Sequence, residues 1–199
     1  MDFFKIIKTN KYLNQKHNYK SDKNSLCFLL FEYLNENNIT INNLNNFHSI
    51  CIKIGISLEK IITEYIVSNT NLKNINHGNV QNKIQEDNLF LDENNKIIYY
   101  AELKSNLNLD TEKIKATNNK IIMKEKELKE MYKDYKIMCF LVNLRYLKYD
   151  EIPNKLINKF NIEYLKGLND YLNLLNLNKI KNYDVYKEIL YRIFKKLNN

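Results

Sequence analysis

The sequence predicts an α/β fold: a mixed sheet flanked by helices, with a helical C-terminal region. Three observations carry that expectation. Residues 87–91 and 96–104 are short runs rich in Leu, Ile, Phe and Tyr, separated by "DENN", and together they read as a hairpin. Residues 111–135 are densely charged, yet Ile114, Ile121, Leu128 and Tyr135 recur at every seventh position, which marks a helix with one buried side. "KIMCFLVNL", residues 136–144, is apolar, short and rich in β-formers, as a central strand is.

The remaining elements follow in chain order. Residues 22–36, "DKNSLCFLLFEYLNE", read as a helix with an Asp or Ser start. Residues 58–68 read as a second helix, with Leu58, Ile61, Ile62, Tyr65 and Ile66 along one side. A loop containing Gly78 follows, and residues 80–86 fit neither period. From residue 155 onward helical patterns dominate, in "NKLINKF", "YLKGLNDYLNLLNL" and "YDVYKEILYRIFKKL". Gly and Pro are scarce, so Asn clusters supply the turns. A length of 199 residues allows one domain, 1–199, with its core at about 58–145 and helical regions at 1–57 and 146–199. It is long enough to bury a core without disulfides.

Composition narrows the classes of function. The net charge of +8 suits a polyanionic partner, although abundant Lys, Asn, Ile and Tyr also reflect an AT-rich coding bias. Cys27, Cys51 and Cys139 are far apart and form no C-x-x-C pair, and His17, His48 and His77 complete no zinc spacing. All three cysteines lie among apolar neighbours and read as small core residues in a reducing compartment. No apolar run is long enough to span a membrane, and the N-terminus is too interrupted by charge for a signal sequence. The expectation is a soluble, intracellular, cytoplasmic protein with no membrane partner.

The chemistry gathers at "KIIYYAELKSN", residues 96–106. Strand positions two apart share a face, so Glu102 and Lys104 emerge side by side at the end of an apolar ribbon. With "DENN" as a four-residue loop, Asp87 opposes Tyr100 and lies diagonal to Glu102, within roughly 7–8 Å. With a two-residue turn at Asn94–Asn95, Asp87 opposes Glu102 itself. Either way Asp87, Glu102 and Lys104 share one face, and Asp92 falls on the other as a turn residue. Two carboxylates repel unless a cation joins them. Their hard oxygens suit Mg²⁺, which shares its ligands with phosphate. A bound metal eases deprotonation of water and offsets charge growing on phosphorus, and a nearby ammonium orients the water or neutralises that charge.

Asp87, a hairpin, then Glu102-Leu103-Lys104 resembles the PD-(D/E)xK nuclease motif, with ordinary spacing. The helix at 111–135 and the strand at 136–144 match the order of that family's core, and only part of its first strand is visible here. The resemblance covers roughly residues 58–145. Glu86 stands where the nominal motif has Pro. Within the superfamily the chain is most similar to a small type II restriction endonuclease. The resemblance implies a restriction-endonuclease-like core and Mg²⁺-dependent cleavage of double-stranded DNA by a homodimer, a type II site-specific deoxyribonuclease. Asp87 and Glu102 would hold metal, with the Leu103 carbonyl as a further ligand, and Lys104 would attend the attacking water. An auxiliary acid on the preceding helix would be Glu64 or Glu59.

Candidate DNA contacts surround this site. Gln81 and Lys83 lie just before Asp87, in "NHGNVQNK". Ser105, Asn106 and Asn108 lead into the next helix, where Lys113, Lys115 and Lys120 can face the phosphate backbone. Asp110 or Thr111 is placed to cap that helix, and His77 reads as a loop residue. The Leu- and Tyr-rich C-terminal helices read as core or dimer packing. A restriction enzyme implies a cognate DNA methyltransferase as genetic partner. Two alternatives stay open: a junction resolvase or repair nuclease of the same fold, and a non-catalytic basic nucleic-acid-binding protein.

Overall fold

The structure is a computed structural model that describes residues 23–39, 47–75, 87–161 and 163–197. The chain divides into two compact units, Glu59–Lys179 and the stretches up to Leu58 and from Ile180 on.

The larger unit is built on a five-stranded open mixed sheet of order β1-β2-β3-β4-β5. Its strands are β1 (Lys73–Asn74), β2 (Asn88–Asp92), β3 (Ile97–Lys104), β4 (Lys136–Asn143) and β5 (Leu165–Gly167). The first three are antiparallel, while β3, β4 and β5 run parallel. Parallel neighbours need a long crossover, and between β3 and β4 this is the helix Thr111–Met131.

The hairpin forms as its parity requires. Leu89 pairs with Tyr100 and Asp92 with Ile97, the register that sets Asp87 opposite Glu102. Asp92 closes the strand and holds the turn, accepting from Asn95 N at 3.0 Å and Asn95 Nδ2 at 2.8 Å. Lys96 follows with φ 52°, the left-handed residue that returns the chain.

Both sheet faces are covered, which explains the unbroken apolar run of β3. On one face Leu89, Ile98, Tyr100, Cys139, Leu141 and Leu165 join Ile121 and Leu128 in a single core. Ile114 and Tyr135 pack at its margin, so the seven-residue repeat is the buried stripe. Truncating Ile121 or Leu128 to Ala would cost about 2–5 kcal/mol. The other face buries Phe90, Ala101, Leu103, Phe140 and Val142, and Phe140 meets Tyr171 at 5.8 Å between ring centroids. Asp110 caps the crossover helix, accepting from Lys113 N at 2.9 Å, and the helix stops at Met131 before a turn, short of the expected residue 135.

Residues 164–177, expected to be helical, begin instead as β5. Leu165–Gly167 pairs with Leu141–Asn143, because the exposed edge of β4 offers backbone partners that a local helix would forgo. Gly167 ends the strand where a Cβ would lie 2.6 Å from the Leu147 carbonyl oxygen, a contact no other residue can make. The helix follows as Leu168–Leu174.

The smaller unit packs α1 (Leu26–Glu36), the first half of α2 (Phe47–Asn69) and the C-terminal helix Tyr183–Leu197. In the order of the chain the crossover helix is α3, Asn154–Ile157 is α4, Leu168–Leu174 is α5 and Tyr183–Leu197 is α6. Because α2 begins at Phe47, earlier than its sequence pattern suggests, Cys51 is helical and is paired with Cys27 in a disulfide, with Cα atoms 5.7 Å apart. Only Cys139 is the buried free thiol expected of all three. The pairing removes the cysteine argument for a reducing compartment. The apolar side of α6, read above as core or dimer packing, is buried within the chain at Tyr186, Leu190, Tyr191, Ile193 and Phe194, with Tyr191 stacked on Tyr33 of α1 at 5.0 Å. Among the described residues no helix is long and apolar enough to cross a membrane.

Candidate active site

The site stands where β3 leaves the core. Tyr100 is fully buried, and Glu102, one pleat further on the same face, is still only 3 % exposed. An isolated carboxylate there would be costly, and the structure surrounds it with donors. Lys104 Nζ lies 2.6 Å from Glu102 Oε1. Lys120 Nζ, from α3, lies 2.5 Å from Oε2. The Tyr100 hydroxyl donates to Oε2 at 3.1 Å. Burial pushes the Glu102 carboxyl up, but the two ammonium groups outweigh it and hold it below its ordinary range. Burial works against the Lys104 ammonium in turn, yet Glu102, with Asp87 and Glu59, keeps it above the usual lysine range.

Asp87 enters from the neighbouring strand. Its Oδ2 accepts from the backbone N–H of Leu103 at 2.7 Å, so β3 itself fixes the carboxylate across from Glu102. Burial, and then the charge of Glu102, push Asp87 up to about 6. Thr63 of α2 reinforces the position, its hydroxyl 2.5 Å from Asn88 Oδ1 beside Asp87.

One turn before Thr63 on α2 is Glu59, half-buried and pushed up to about 7 by burial and then by Asp87. Glu59, and not Glu64, is therefore the helix acid of the cluster. Glu64 is exposed. The reason is the helix phase. The buried stripe is Leu58, Ile62 and Ile66, whereas Ile61, counted with them from sequence, is 43 % exposed. A stripe turned that way sets Glu59 at its flank and Glu64 on the opposite side.

The proposed DNA contacts divide. Gln81, Lys83 and His77 lie outside the described residues. Ser105 is half-buried just past β3. Asn106 and Asn108 are engaged in the loop, Asn108 N donating to Asn106 Oδ1 at 2.8 Å and Lys159 Nζ to Asn108 Oδ1 at 3.4 Å. Lys113 pairs with Asp110 in the open, and Lys115 is exposed. Lys120 reaches into the carboxylate cluster, its Nζ paired with Glu102. The signal for this was present: Thr117, Ile121 and Leu128 are buried, and Lys120 sits on the flank of that stripe.

The donor set suits a hard divalent cation. Two carboxylates and a backbone carbonyl, completed by water, is how Mg²⁺ is commonly held. Among the described residues no three acidic, imidazole or thiol groups converge on one point. The Asp87 and Glu59 carboxyls are raised first by burial and then by their acidic neighbours, and a cation would relieve the repulsive part. No family model matches the chain, nor does any curated protein or solved structure.

Proposed function

We propose that this protein is a Mg²⁺-dependent endonuclease that hydrolyses phosphodiester bonds of double-stranded DNA at a specific sequence. In this reading it is a type II restriction enzyme with a restriction-endonuclease-like core, acts inside the cell as a homodimer, and has a cognate DNA methyltransferase as its genetic partner. One observation carries the reading. Glu102 and Lys104 leave the core side by side at 2.6 Å, with Asp87 fixed opposite by the Leu103 amide and Glu59 close enough to feel both carboxylates. Two further acids gathered around one buried ion pair make poor structural glue, since replacing buried ions by apolar groups is often neutral or stabilising.

In the reaction a water oxygen bonds to phosphorus, the bond from phosphorus to the departing sugar oxygen breaks, and the proton lost by water is balanced by one gained on the leaving group. Asp87, Glu102 and the Leu103 carbonyl would hold Mg²⁺, which when bound favours ionisation of the attacking water and neutralises the phosphate. Lys104 orients that water and offsets the charge that builds on phosphorus. Glu59, whose carboxyl sits near neutrality, receives the water's proton, since a base works best near the operating pH.

The test is incubation of purified protein with plasmid DNA. Discrete fragments should form with Mg²⁺, cleavage should vanish in excess EDTA, and Asp87→Ala should lose cutting while keeping its fold. Undiminished cutting in EDTA, or by Asp87→Ala, would refute the assignment. DNA binding without cleavage would mark a binding protein instead.

A further inference from the structure

The sheet face turned away from Glu102 is apolar, with Phe90, Ala101, Leu103, Phe140 and Val142 buried on it. Two polar side chains interrupt it. Asn88 opens β2 opposite Ala101 and is 1 % exposed. Tyr171 of α5 is fully buried and packs on Phe140. A buried amide or hydroxyl costs free energy unless it is hydrogen-bonded. Asn88 Oδ1 meets the Thr63 hydroxyl at 2.5 Å. Asn88 Nδ2 and the Tyr171 hydroxyl are both buried, and neither has another partner. Yet they adjoin each other: burial raises the Tyr171 hydroxyl above its ordinary range, and the Asn88 amide, within hydrogen-bonding reach, pulls it back. A hydroxyl can donate or accept, and an amide has one end of each kind, so either orientation of Asn88 joins Thr63 to Tyr171.

We propose that Tyr171, Asn88 and Thr63 form a buried hydrogen-bonded chain that positions Asp87 and Glu59 for metal binding and catalysis. The inference rests on the nuclease reading above and deepens it by naming the residues that hold its acids in place. The chain ends beside both acids. Asn88 follows Asp87, so pinning its side chain on one face delivers the Asp87 carboxylate to the other, where it accepts from Leu103 N at 2.7 Å. Thr63 lies one turn after Glu59, and its hydroxyl also sits 2.9 Å from the Glu59 carbonyl oxygen. The Thr63–Asn88 contact thus ties α2 to β2, and Tyr171 anchors Asn88 from a third element. These are positioning residues, acting through Asp87 and Glu59. Partners that orient ligands in this way are worth about 10–100-fold in metal affinity or activity.

Tyr171→Phe deletes one hydroxyl and keeps the ring. Were that hydroxyl an unpaired buried group, its loss would raise the midpoint of denaturant unfolding. As the partner of Asn88 its loss should lower the midpoint, in EDTA and without DNA. A midpoint equal to or above that of the wild type overturns the inference. Thr63→Val and Thr63→Ser separate positioning from support of the fold. Valine keeps the shape and loses the hydroxyl, whereas serine keeps the hydroxyl and loses a methyl. Thr63→Val should cleave about tenfold more slowly in single turnover at saturating protein. It should also need more Mg²⁺, both for half-maximal cleavage and to raise the unfolding temperature without DNA, while DNA affinity is unchanged. Thr63→Ser should restore the rate and the Mg²⁺ response. A hydroxyl that only supports the fold would lower stability and leave the rate per folded molecule and the Mg²⁺ response untouched. That pattern, cleavage by Thr63→Val within about threefold of wild type, or a Thr63→Ser protein as impaired as Thr63→Val overturns the inference. If Asp87→Ala is dead while Tyr171→Phe and Thr63→Val match the wild type, only this inference falls. If the wild type does not cut, or Asp87→Ala cuts as well as it does, the nuclease reading falls and the inference with it.

Discussion

Two buried charge clusters in this molecule are mirror images of each other. In the larger unit one carboxylate, Glu102, sits between two lysines. In the smaller unit one lysine, Lys187, sits between two carboxylates, Glu36 at 2.7 Å and Glu32 at 3.7 Å. Their surroundings differ. Lys187 is the only member of its trio that is buried, with Glu32 half-buried and Glu36 exposed, so desolvation falls mainly on one group with a flexible stem. Around Glu102 every member is at least partly buried, and two further acids, Asp87 and Glu59, are pressed in with their carboxyls pushed up. The first arrangement fastens one helix to another at small cost. The second concentrates like charge in a buried setting, and such clusters are candidates for functional sites.

The comparison breaks most visibly at the lysines. Lys104→Ala should lower single-turnover cleavage by about 10²–10³, the usual loss for an electrostatic stabiliser of a developing charge, while DNA affinity changes little. Lys96→Ala, at the far end of the same hairpin and exposed, is the control and should cut nearly normally. A Lys104→Ala protein that cuts at close to the wild-type rate would make the resemblance of the motif an accident of a lysine-rich chain.

The mirror cluster should respond in the other currency. Lys187→Ala removes the buried cation and its stem, leaving Glu36 and Glu32 free to take up water. We expect a loss of about 1–3 kcal/mol in denaturant unfolding and unchanged cleavage per folded molecule. A cleavage defect without a stability defect would reverse the assignment of roles between the two clusters.

Much of the site was legible in the sequence because strands have a strict period. The positions of Asp87, Glu102 and Lys104 follow from the parity of one hairpin, and any even loop yields the same face. The mixed α/β class and the crossover helix were legible for a related reason: a seven-residue repeat of Ile114, Ile121 and Leu128 in a charged segment has few other meanings. What stayed hidden depends on partners remote in sequence. Three residues, Leu165–Gly167, become a strand only because β4 has a free edge. The choice of Glu59 over Glu64 turned on a small rotation of α2 that buries Ile62 and frees Ile61. Lys120 read as one of many cations on a charged helix; its place on the flank of the buried stripe was legible, but the Glu102 it meets there was not. The disulfide could not be foreseen from spacing, since Cys51 lies ahead of the recognisable part of its helix.

The smallest effect expected concerns Glu59, and its sign is distinctive. A folded-state value of about 7 against an ordinary 4.5 means that the folded chain holds this proton more tightly than the unfolded chain does. Below about pH 4.5 both states are protonated and the group is silent. As pH rises from there through 7 the unfolded state ionises first, so stability is progressively lost, and above 7 the full penalty remains. Asp87, pushed up to about 6 from 3.8, acts in the same direction over a lower range. In EDTA the wild type should therefore be more stable at pH 5 than these groups allow at pH 8. Glu59→Gln removes one of the two contributions, keeps the shape of the side chain, and should stabilise the metal-free protein at pH 8 by roughly 1 kcal/mol, discounted for partial exposure. At pH 5 the gain should nearly vanish. The same variant should cleave more slowly, because the group that receives the proton is gone. Equal unfolding midpoints for the two proteins at pH 8, or a Glu59→Gln protein less stable there than at pH 5 by the wild-type margin, would mean that Glu59 does not feel the other acids. The contrast with the Lys187 cluster would then lose one of its two supports, leaving only the paired lysines of Glu102 to distinguish the sites.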